Sequence, residues 1–92
     1  MTEKKTVHIF LFGRVQGVGF RAFIRKNASK SGIKGWAKNL NDGRVEAVFS
    51  GSEEEVNKLI ELVKEGPRFA KVNNIEIKED INNDFKEFKI KY

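Results

Sequence analysis

With 92 residues, the chain is long enough for one domain with a modest core and too short for two, so we expect a single domain over residues 1–92. The absence of cysteine excludes disulfides, thiol chemistry and cysteine-based metal sites, and the absence of a signal peptide or a long apolar run favours a cytoplasmic protein without a membrane partner. A net charge of +5 favours anionic partners, either small phosphates or nucleic acid, although the lysines are scattered among glutamates and form no basic block.

The first predicted element is a β-strand over residues 7–13. Aliphatic residues on one face alternate with aromatic residues on the other: Val7, Ile9 and Leu11 against His8, Phe10 and Phe12. We therefore expect either that both faces are partly covered or that one displays aromatic side chains. The polar residues 1–6 are expected to be frayed. His8 has no Cys, Asp or Glu beside it at ligand spacing, and we interpret it as a sheet residue rather than a catalytic one.

A glycine-rich segment, residues 13–21, joins this strand to a predicted helix over residues 20–31. Its glycines allow positive φ and carry no side chains that would cover the backbone N–H groups. These N–H groups, together with the positive end of the following helix, predict an anion-binding pocket. Arg21 lies in the first helical turn, where the helix dipole disfavours a cation, and its planar fork suits a phosphate or carboxylate. The spacing is equally consistent with a loop that binds no ligand and an arginine that is exposed to solvent. The segment matches neither G-x-x-x-x-G-K-[ST] nor G-x-G-x-x-G.

The middle of the chain predicts a helix end and a β-hairpin. Gly32 is a suitable C-cap glycine for the first helix, and the apolar Ile33 after it can contact the helix. Strands are predicted over residues 33–40 and 44–50. Asn-Asp-Gly at residues 41–43 has the chemistry of a tight hairpin turn between them.

The last third of the chain begins with a second helix, for which Ser52 as N-cap and Glu55 at N3 form a capping box. The acidic residues of its first turn are explained by capping and by the helix dipole rather than by a metal site. A strand is predicted over residues 70–79, and a break in its alternation indicates a bulge. A polar turn at residues 82–84 precedes a last short strand over residues 88–92.

The order β-α-β-β-α-β plus a final strand predicts an α+β fold, the ferredoxin-like split β-α-β sandwich, with two helices on one face of a mainly antiparallel sheet. In this fold the first two strands are parallel, with the third inserted between them, so their carboxyl ends share one edge of the sheet. Asn39 lies near the end of the second strand and can therefore meet Arg21. A role for Asn39 in capping the hairpin turn is the competing interpretation.

Two motifs make this sequence similar to the acylphosphatase family. Residues 13–21, GRVQGVGFR, resemble its signature G-x-V-Q-G-V-x-F-R. Residues 35–46, GWAKNLNDGRVE, resemble a second signature, G-x-V-x-N-x-x-D-G-x-V-E, and depart from it only at Ala37, where the pattern has valine. Residues 66–72 and 88–92 also look like the family, so the resemblance covers nearly the whole chain and implies one acylphosphatase-like domain over residues 1–92.

The resemblance implies hydrolysis of the carboxyl–phosphate bond of acyl phosphates to a carboxylate and inorganic phosphate, without metal or organic cofactor. It implies a catalytic pair in which Arg21 binds the phosphoryl group and Asn39 orients the attacking water. The phosphate-binding residues it implies are consecutive: Val15, Gln16, Gly17, Val18, Gly19, Phe20 and Arg21. No general base from the protein is evident in either signature, because the turn explains Asp42, and no residue identifies the acyl group.

Three other classes of protein share parts of this pattern. A small RRM-like RNA-binding module has the same element order, but it needs a basic and aromatic run on the third strand, where residues 44–49 read RVEAVF. A metal-carrying ferredoxin-like domain needs C-x-x-C. A domain of a larger carbamoyl-transfer enzyme is disfavoured because the chain stops at the family's C-terminal pattern. We therefore expect a protein that has no nucleic-acid partner and acts on a small molecule. We also expect a monomer, although no sequence feature determines the oligomeric state.

Overall fold

The computed structural model of the chain describes residues 3–80 and 85–92. Its elements are, in chain order, β1 (Lys4–Arg14), α1 (Phe20–Lys30), β2 (Lys34–Asn39), β3 (Val45–Ser52), α2 (Glu53–Glu65), β4 (Lys71–Glu79) and β5 (Phe88–Lys91). The five strands form one sheet in the order β4-β1-β3-β2-β5. This is the expected ferredoxin-like α+β arrangement. The turn expected at residues 82–84 lies outside the described residues.

The pairing of the strands determines where the carboxyl end of each strand lies. β1 pairs antiparallel with β3 and β4, and β3 pairs antiparallel with β2. β1 and β2 therefore run parallel with β3 between them, as predicted, and both end at the same edge of the sheet. β5 adds to the outside of β2 in a parallel orientation. The loop after β1 and the end of β2 are thus neighbours in space.

Both helices cover one face of the sheet. α1 packs on β2 and β5, whereas α2 packs on β1, β3 and β4. The aliphatic face of β1 (Val7, Ile9 and Leu11) is fully buried beneath them. Burial of each such side chain contributes about 1.5–3 kcal/mol, so the sheet is a rigid support for the loops at its edges. The aromatic residues of β1 lie half-buried on the open face, which is the second of the two expected arrangements.

The prediction that residues 1–6 are frayed is wrong for residues 4–6. β1 begins at Lys4, which pairs with Ser52 of β3, and the hydroxyls of Thr6 and Ser50 share a buried hydrogen bond of 2.9 Å. The backbone N–H of Glu53 also donates to the carbonyl of Glu3 at 2.7 Å. Hydrophobic periodicity missed this part of the strand because its buried side chain is a polar one satisfied by a partner on β3.

The predicted bulge lies where β1 meets β4. Phe12 is opposite Asn74 but Gly13 is opposite Val72, so one extra residue of β4 separates the two pairs. The backbone of Gly13 has a φ of 123°, and a Cβ on it would lie 2.2 Å from the carbonyl oxygen of Lys71. Gly13 is therefore needed for the close approach of β4, which differs from the role of the later glycines of the loop.

The ends of the helices follow their sequence signals. α1 ends in a Schellman motif: Gly32 has a φ of 70°, and the N–H of Ile33 donates to the carbonyl of Ala28 at 2.8 Å. At the start of α2, Ser52 Oγ accepts a hydrogen bond of 3.3 Å from the N–H of Glu55, as the capping box predicted. The first of these motifs fixes the direction in which the chain enters β2.

Candidate active site

A cavity of about 220 Å³ lies at the sheet edge where β1 and β2 end. Its walls come from the loop after β1, the first turn of α1, the end of β2 and β5. Arg21 and Asn39, 18 positions apart in the sequence, both line it, so the structure brings together the two residues expected to form the catalytic pair. The implied phosphate-binding residues that line the cavity besides Arg21 are Val15, Gly17, Gly19 and Phe20. Gln16 and Val18 do not line the cavity.

Cavity size alone does not identify this site. A cavity of about 330 Å³ lies at the opposite edge of the sheet, where β1 and β2 begin, and is lined by Lys4 and Lys34 among others. It contains no residue of the glycine-rich loop and neither member of the expected pair. The smaller cavity is the candidate site because it holds the polar groups whose chemistry suits a phosphate.

The glycine-rich loop presents unpaired backbone donors. Gly17 and Gly19 adopt left-handed conformations, with φ of 74° and 75°. A Cβ on either residue would meet nothing within 4 Å, so it is the backbone conformation that requires glycine at these two positions. No backbone N–H from residue 16 to residue 22 donates to an oxygen within residues 3–80 and 85–92. These donors remain available to an anion in the cavity.

The partial positive charge at the N-terminus of α1 is not neutralised by a capping side chain or by an acidic residue in its first turn. Gly19 is its N-cap and supplies no side-chain hydrogen bond, and the first turn contains no acidic residue. α2 is the opposite case, with a serine cap and three glutamates in its first turn. Because α1 lacks such groups, the partial positive charge at its N-terminus faces the cavity without a protein counter-charge. An anion is the ligand that this arrangement favours.

Arg21 is held in place by the chain around β5. Its Nη1 donates to the carbonyl oxygen of Lys91 at 3.2 Å, and its guanidinium carbon lies 4.8 Å from the centre of the Tyr92 ring. Among the described residues this is the only hydrogen bond that the Arg21 side chain makes, so its other guanidinium N–H donors are free for a ligand. The sequence motifs gave no indication of this support.

Asn39 is half-buried as the last residue of β2, and its carboxamide makes no hydrogen bond to any residue in the described part of the chain. The hairpin turn that follows is closed by other groups. Asp42 Oδ1 accepts a hydrogen bond of 3.1 Å from the N–H of Arg44, and the N–H of Leu40 donates to the carbonyl of Arg44 at 2.8 Å. The structure therefore gives the capping role to Asp42 and leaves the amide of Asn39 available in the cavity.

The electrostatics of the hairpin agree with this assignment. The backbone N–H of Arg44 holds the pKa of Asp42 below its ordinary value, and the Arg44 guanidinium strengthens the effect through a 2.8 Å hydrogen bond from Nε. The same guanidinium lies 4.9 Å from the ring centre of Phe10 on the open face of the sheet. The Arg44 side chain therefore contacts the hairpin and the open face of the sheet, and it does not line the cavity.

Gln16 has a contact that the sequence did not predict. Its side-chain Nε2 donates to the carbonyl of Leu40 at 2.7 Å and to the carbonyl of Arg44 at 3.0 Å. The resemblance implied only that Gln16 belongs to the phosphate-binding loop. Because its partners lie 24 and 28 positions away, no local spacing could have indicated them.

The open face of the sheet holds the remaining residues of interest. His8 Nε2 lies 2.6 Å from Glu46 Oε2, and its ring stacks on Phe10, so it is a sheet residue as interpreted. Phe49, the one aromatic residue of β3, is fully buried against the helices. β3 therefore offers no aromatic platform of the kind that an RRM uses to stack bases.

Within the part of the chain that the structure describes, no group of three or more potential metal-ligating side chains is found. No described helix is long and apolar enough to cross a membrane.

A family model for acylphosphatase matches residues 7–90. The chain belongs to the acylphosphatase family. An acylphosphatase of Chloroflexus aurantiacus is 51% identical over 70 residues, 76% of each chain. One of Syntrophus aciditrophicus is 45% identical over 89 residues, 96% of this chain and 93% of that one. The crystal structure of an acylphosphatase from Bacillus subtilis matches with a TM-score of 0.92 at 40% identity, and the match covers 98% of this chain and 100% of that one.

The two acylphosphatase signatures converge on the cavity. The first supplies the loop and Arg21, and the second supplies Asn39 at the end of β2. The departure from the second signature, Ala37, is fully buried on β2 opposite Ala47 and does not line the cavity. The departure therefore alters packing beneath the sheet and removes no polar group from the site. The loss of two methyl groups relative to valine costs on the order of 1 kcal/mol.

Proposed function

We propose that this protein hydrolyses acyl phosphates to a carboxylate and inorganic phosphate in the cavity at the β1–β2 edge. The loop N–H groups and Arg21 hold the phosphoryl group, and Asn39 orients the attacking water. The observation that carries the proposal is the presence of Arg21 and Asn39 on the wall of one cavity, beside a loop whose backbone donors have no protein acceptor among the described residues.

The phosphoryl group is bound by three kinds of positive charge. The loop N–H groups point their hydrogens at the anion, the uncapped start of α1 adds its partial charge, and Arg21 adds a full charge with several free donors. In phosphoryl transfer the transition state is loose and its charge is spread over the phosphoryl oxygens. Donors fixed in place before the reaction stabilise that charge without reorganisation.

Asn39 acts on the water rather than on the phosphoryl group. The oxygen of its carboxamide accepts a hydrogen bond from the water and so directs a lone pair of the water towards phosphorus. The amide is suited to this because no residue in the described part of the chain occupies it. Correct placement of a nucleophile can supply several kcal/mol of the barrier reduction.

The proton released by the water goes to an oxygen of the bound phosphoryl group. None of the described residues that line the cavity is an aspartate, a glutamate or a histidine. The leaving group is a carboxylate, which departs without protonation because it is a weak base whose conjugate acid is ionised at neutral pH. The same site is therefore poor at cleaving alkyl phosphates, whose leaving group is a much stronger base.

The proposed working unit is a cytoplasmic monomer that requires no metal, organic cofactor or nucleic acid. The cavity volume of about 220 Å³ suits a small molecule. Arg21 and the loop donors supply the positive charge that a metal would otherwise provide.

The test is an assay of the purified protein with acetyl phosphate or benzoyl phosphate in the presence of EDTA. The expected result is release of inorganic phosphate well above spontaneous hydrolysis, with no gain when Mg²⁺ replaces EDTA. Absence of activity under both conditions contradicts the proposed reaction. Activity that appears only with Mg²⁺ contradicts the metal-free mechanism. An alkyl phosphate serves as the control substrate and is expected to be cleaved far more slowly.

A further inference from the structure

Gln16 connects the two halves of the proposed site. We infer that Gln16 is a positioning residue for acyl phosphate hydrolysis: its carboxamide fastens the glycine-rich loop to the β2–β3 hairpin and so sets the position of Asn39 relative to the bound phosphoryl group. The inference rests on the proposed function. It adds a residue that the cavity wall does not include and that acts through its neighbours rather than on the substrate.

The orientation of the Gln16 amide is unambiguous. Both of its partners, the backbone oxygens of Leu40 and Arg44, are acceptors only, so the NH₂ end of the side chain must face them. At 2.7 and 3.0 Å, both contacts are of ordinary hydrogen-bond length. One NH₂ group thus uses both of its hydrogens on one hairpin, and the side chain is partly buried where it does so.

The bonded residues lie next to the proposed catalytic groups. Gln16 is followed by Gly17, which lines the cavity, and Leu40 is preceded by Asn39, which lines it from the other side. Each end of the connection is therefore one peptide unit away from the site. A shift of the hairpin relative to the loop moves Asn39 relative to the phosphoryl group by a similar amount.

The glycine-rich loop has few other contacts that could fix its distance from the hairpin. Within residues 3–80 and 85–92, no backbone hydrogen bond involves residues 15–18. Val15 is buried in the hydrophobic core and Val18 packs against that core, but neither valine side chain can donate or accept a hydrogen bond. Gly17 lies between them in a left-handed conformation that glycine leaves readily. The carboxamide of Gln16 is thus the hydrogen-bonded link between loop and hairpin.

A displacement of about 1 Å of a catalytic group can lower a rate roughly 100-fold. Loss of the Gln16 link should therefore affect the orientation of the water, which requires Asn39 and the phosphoryl group together. Binding of the phosphoryl group should change less, because the loop donors and Arg21 all lie on the loop and α1.

The first experiment removes the donors while preserving the length of the side chain. Gln16→Met is expected to lower kcat for benzoyl phosphate about tenfold or more and to change KM less than about threefold. The matched control is Asn27→Leu, which removes a 2.8 Å hydrogen bond from a carboxamide to the carbonyl of Phe23 within α1, away from the cavity. It is expected to lower the melting temperature while leaving kcat and KM unchanged. An unchanged kcat in folded Gln16→Met contradicts the inference.

The second experiment asks whether Gln16 acts through Asn39. In an Asn39→Ala background, Gln16→Met should lower kcat less than about threefold, because the group that it positions is already gone. An equal loss of kcat in both backgrounds contradicts the inference and leaves the proposed function intact. A near-normal kcat in Asn39→Ala alone contradicts the proposed function instead. If Gln16→Met does not fold, the isosteric Gln16→Glu, which also lacks the donors, replaces it in the same comparison.

Discussion

Arg21 donates a hydrogen bond to the carbonyl oxygen of Lys91, 70 positions further along the chain. The residue proposed to hold the phosphoryl group is therefore itself held by the segment that forms β5. Tyr92 completes this support, with the Arg21 guanidinium 4.8 Å from its ring centre although the residue is 95% exposed. A chain segment outside both acylphosphatase signatures thus takes part in shaping the site.

The first prediction concerns this support. Tyr92→Ala removes the ring beside Arg21, and we expect a rise in KM of up to about fivefold, since an exposed cation–π contact contributes about 0.5–1 kcal/mol. Tyr92→Phe keeps the ring and should keep the wild-type KM. Because Tyr92 is almost fully exposed, both variants should melt within a few degrees of the wild type. An unchanged KM in Tyr92→Ala would show that the ring does not orient Arg21.

A second prediction tests the anion pocket without catalysis. Phosphate at tens of millimolar should inhibit competitively and raise the melting temperature, because an anion that binds only the folded pocket stabilises the folded state by mass action. Chloride at equal ionic strength is the control for general salt effects. The increase in melting temperature should be lost in Arg21→Ala. A shift of equal size in chloride would argue against a specific site.

The third prediction compares two glycines that have the same backbone conformation, only one of which lines the cavity at the β1–β2 edge. Gly17→Ala places a side chain at a φ of 74°, and Gly32→Ala does so at 70°, and neither new Cβ meets an atom within 4 Å. Both variants should lose about 1–2 kcal/mol of stability from left-handed strain. Only Gly17→Ala, which alters the cavity wall, should also raise KM. Equal KM values in the two variants would show that the loop does not take part in phosphate binding.

The fourth prediction concerns the hairpin beside Asn39. The lowered pKa of Asp42 means that its ionised form stabilises the folded state, a contribution that is present above the ordinary value of 3.8 and is lost as the pH falls through the folded-state pKa. Asp42→Ala should therefore have a lower melting temperature than the wild type at neutral pH. This gap in melting temperature should narrow as the pH falls below 3.8. Melting curves across this range measure the gap. A gap that is independent of pH would mean that ionised Asp42 does not support the turn.

The sequence predicted those features whose signals are local. The capping box at Ser52 and the glycine after α1 predicted the helix ends, and the interrupted alternation in β4 predicted the bulge. The meeting of Arg21 and Asn39 was also predictable, because element order fixes which strand ends share an edge. In each case a short stretch of chain and a general rule were sufficient.

The features that were missed depend on contacts between distant residues. Thr6 is buried because it shares a hydrogen bond with Ser50, 44 positions away, and a polar residue of this kind has no hydrophobic signal. The support of Arg21 by Lys91 and the link from Gln16 to Leu40 are likewise side-chain-to-backbone contacts. Such bonds depend on how the elements finally pack, so their partners cannot be read from residue type or spacing.

The central claim is that Arg21 holds the substrate whereas Asn39 orients the water, and steady-state kinetics of Arg21→Ala and Asn39→Ala with an acyl phosphate in EDTA test it most directly. Circular dichroism and thermal melting first establish that each variant is folded. Arg21→Ala should raise KM and lower kcat together, because a charge-assisted fork is lost in both the ground and the transition state. Asn39→Ala should lower kcat by roughly 100-fold or more and leave KM and phosphate inhibition nearly unchanged. A folded Asn39→Ala variant with near-normal kcat would contradict the account.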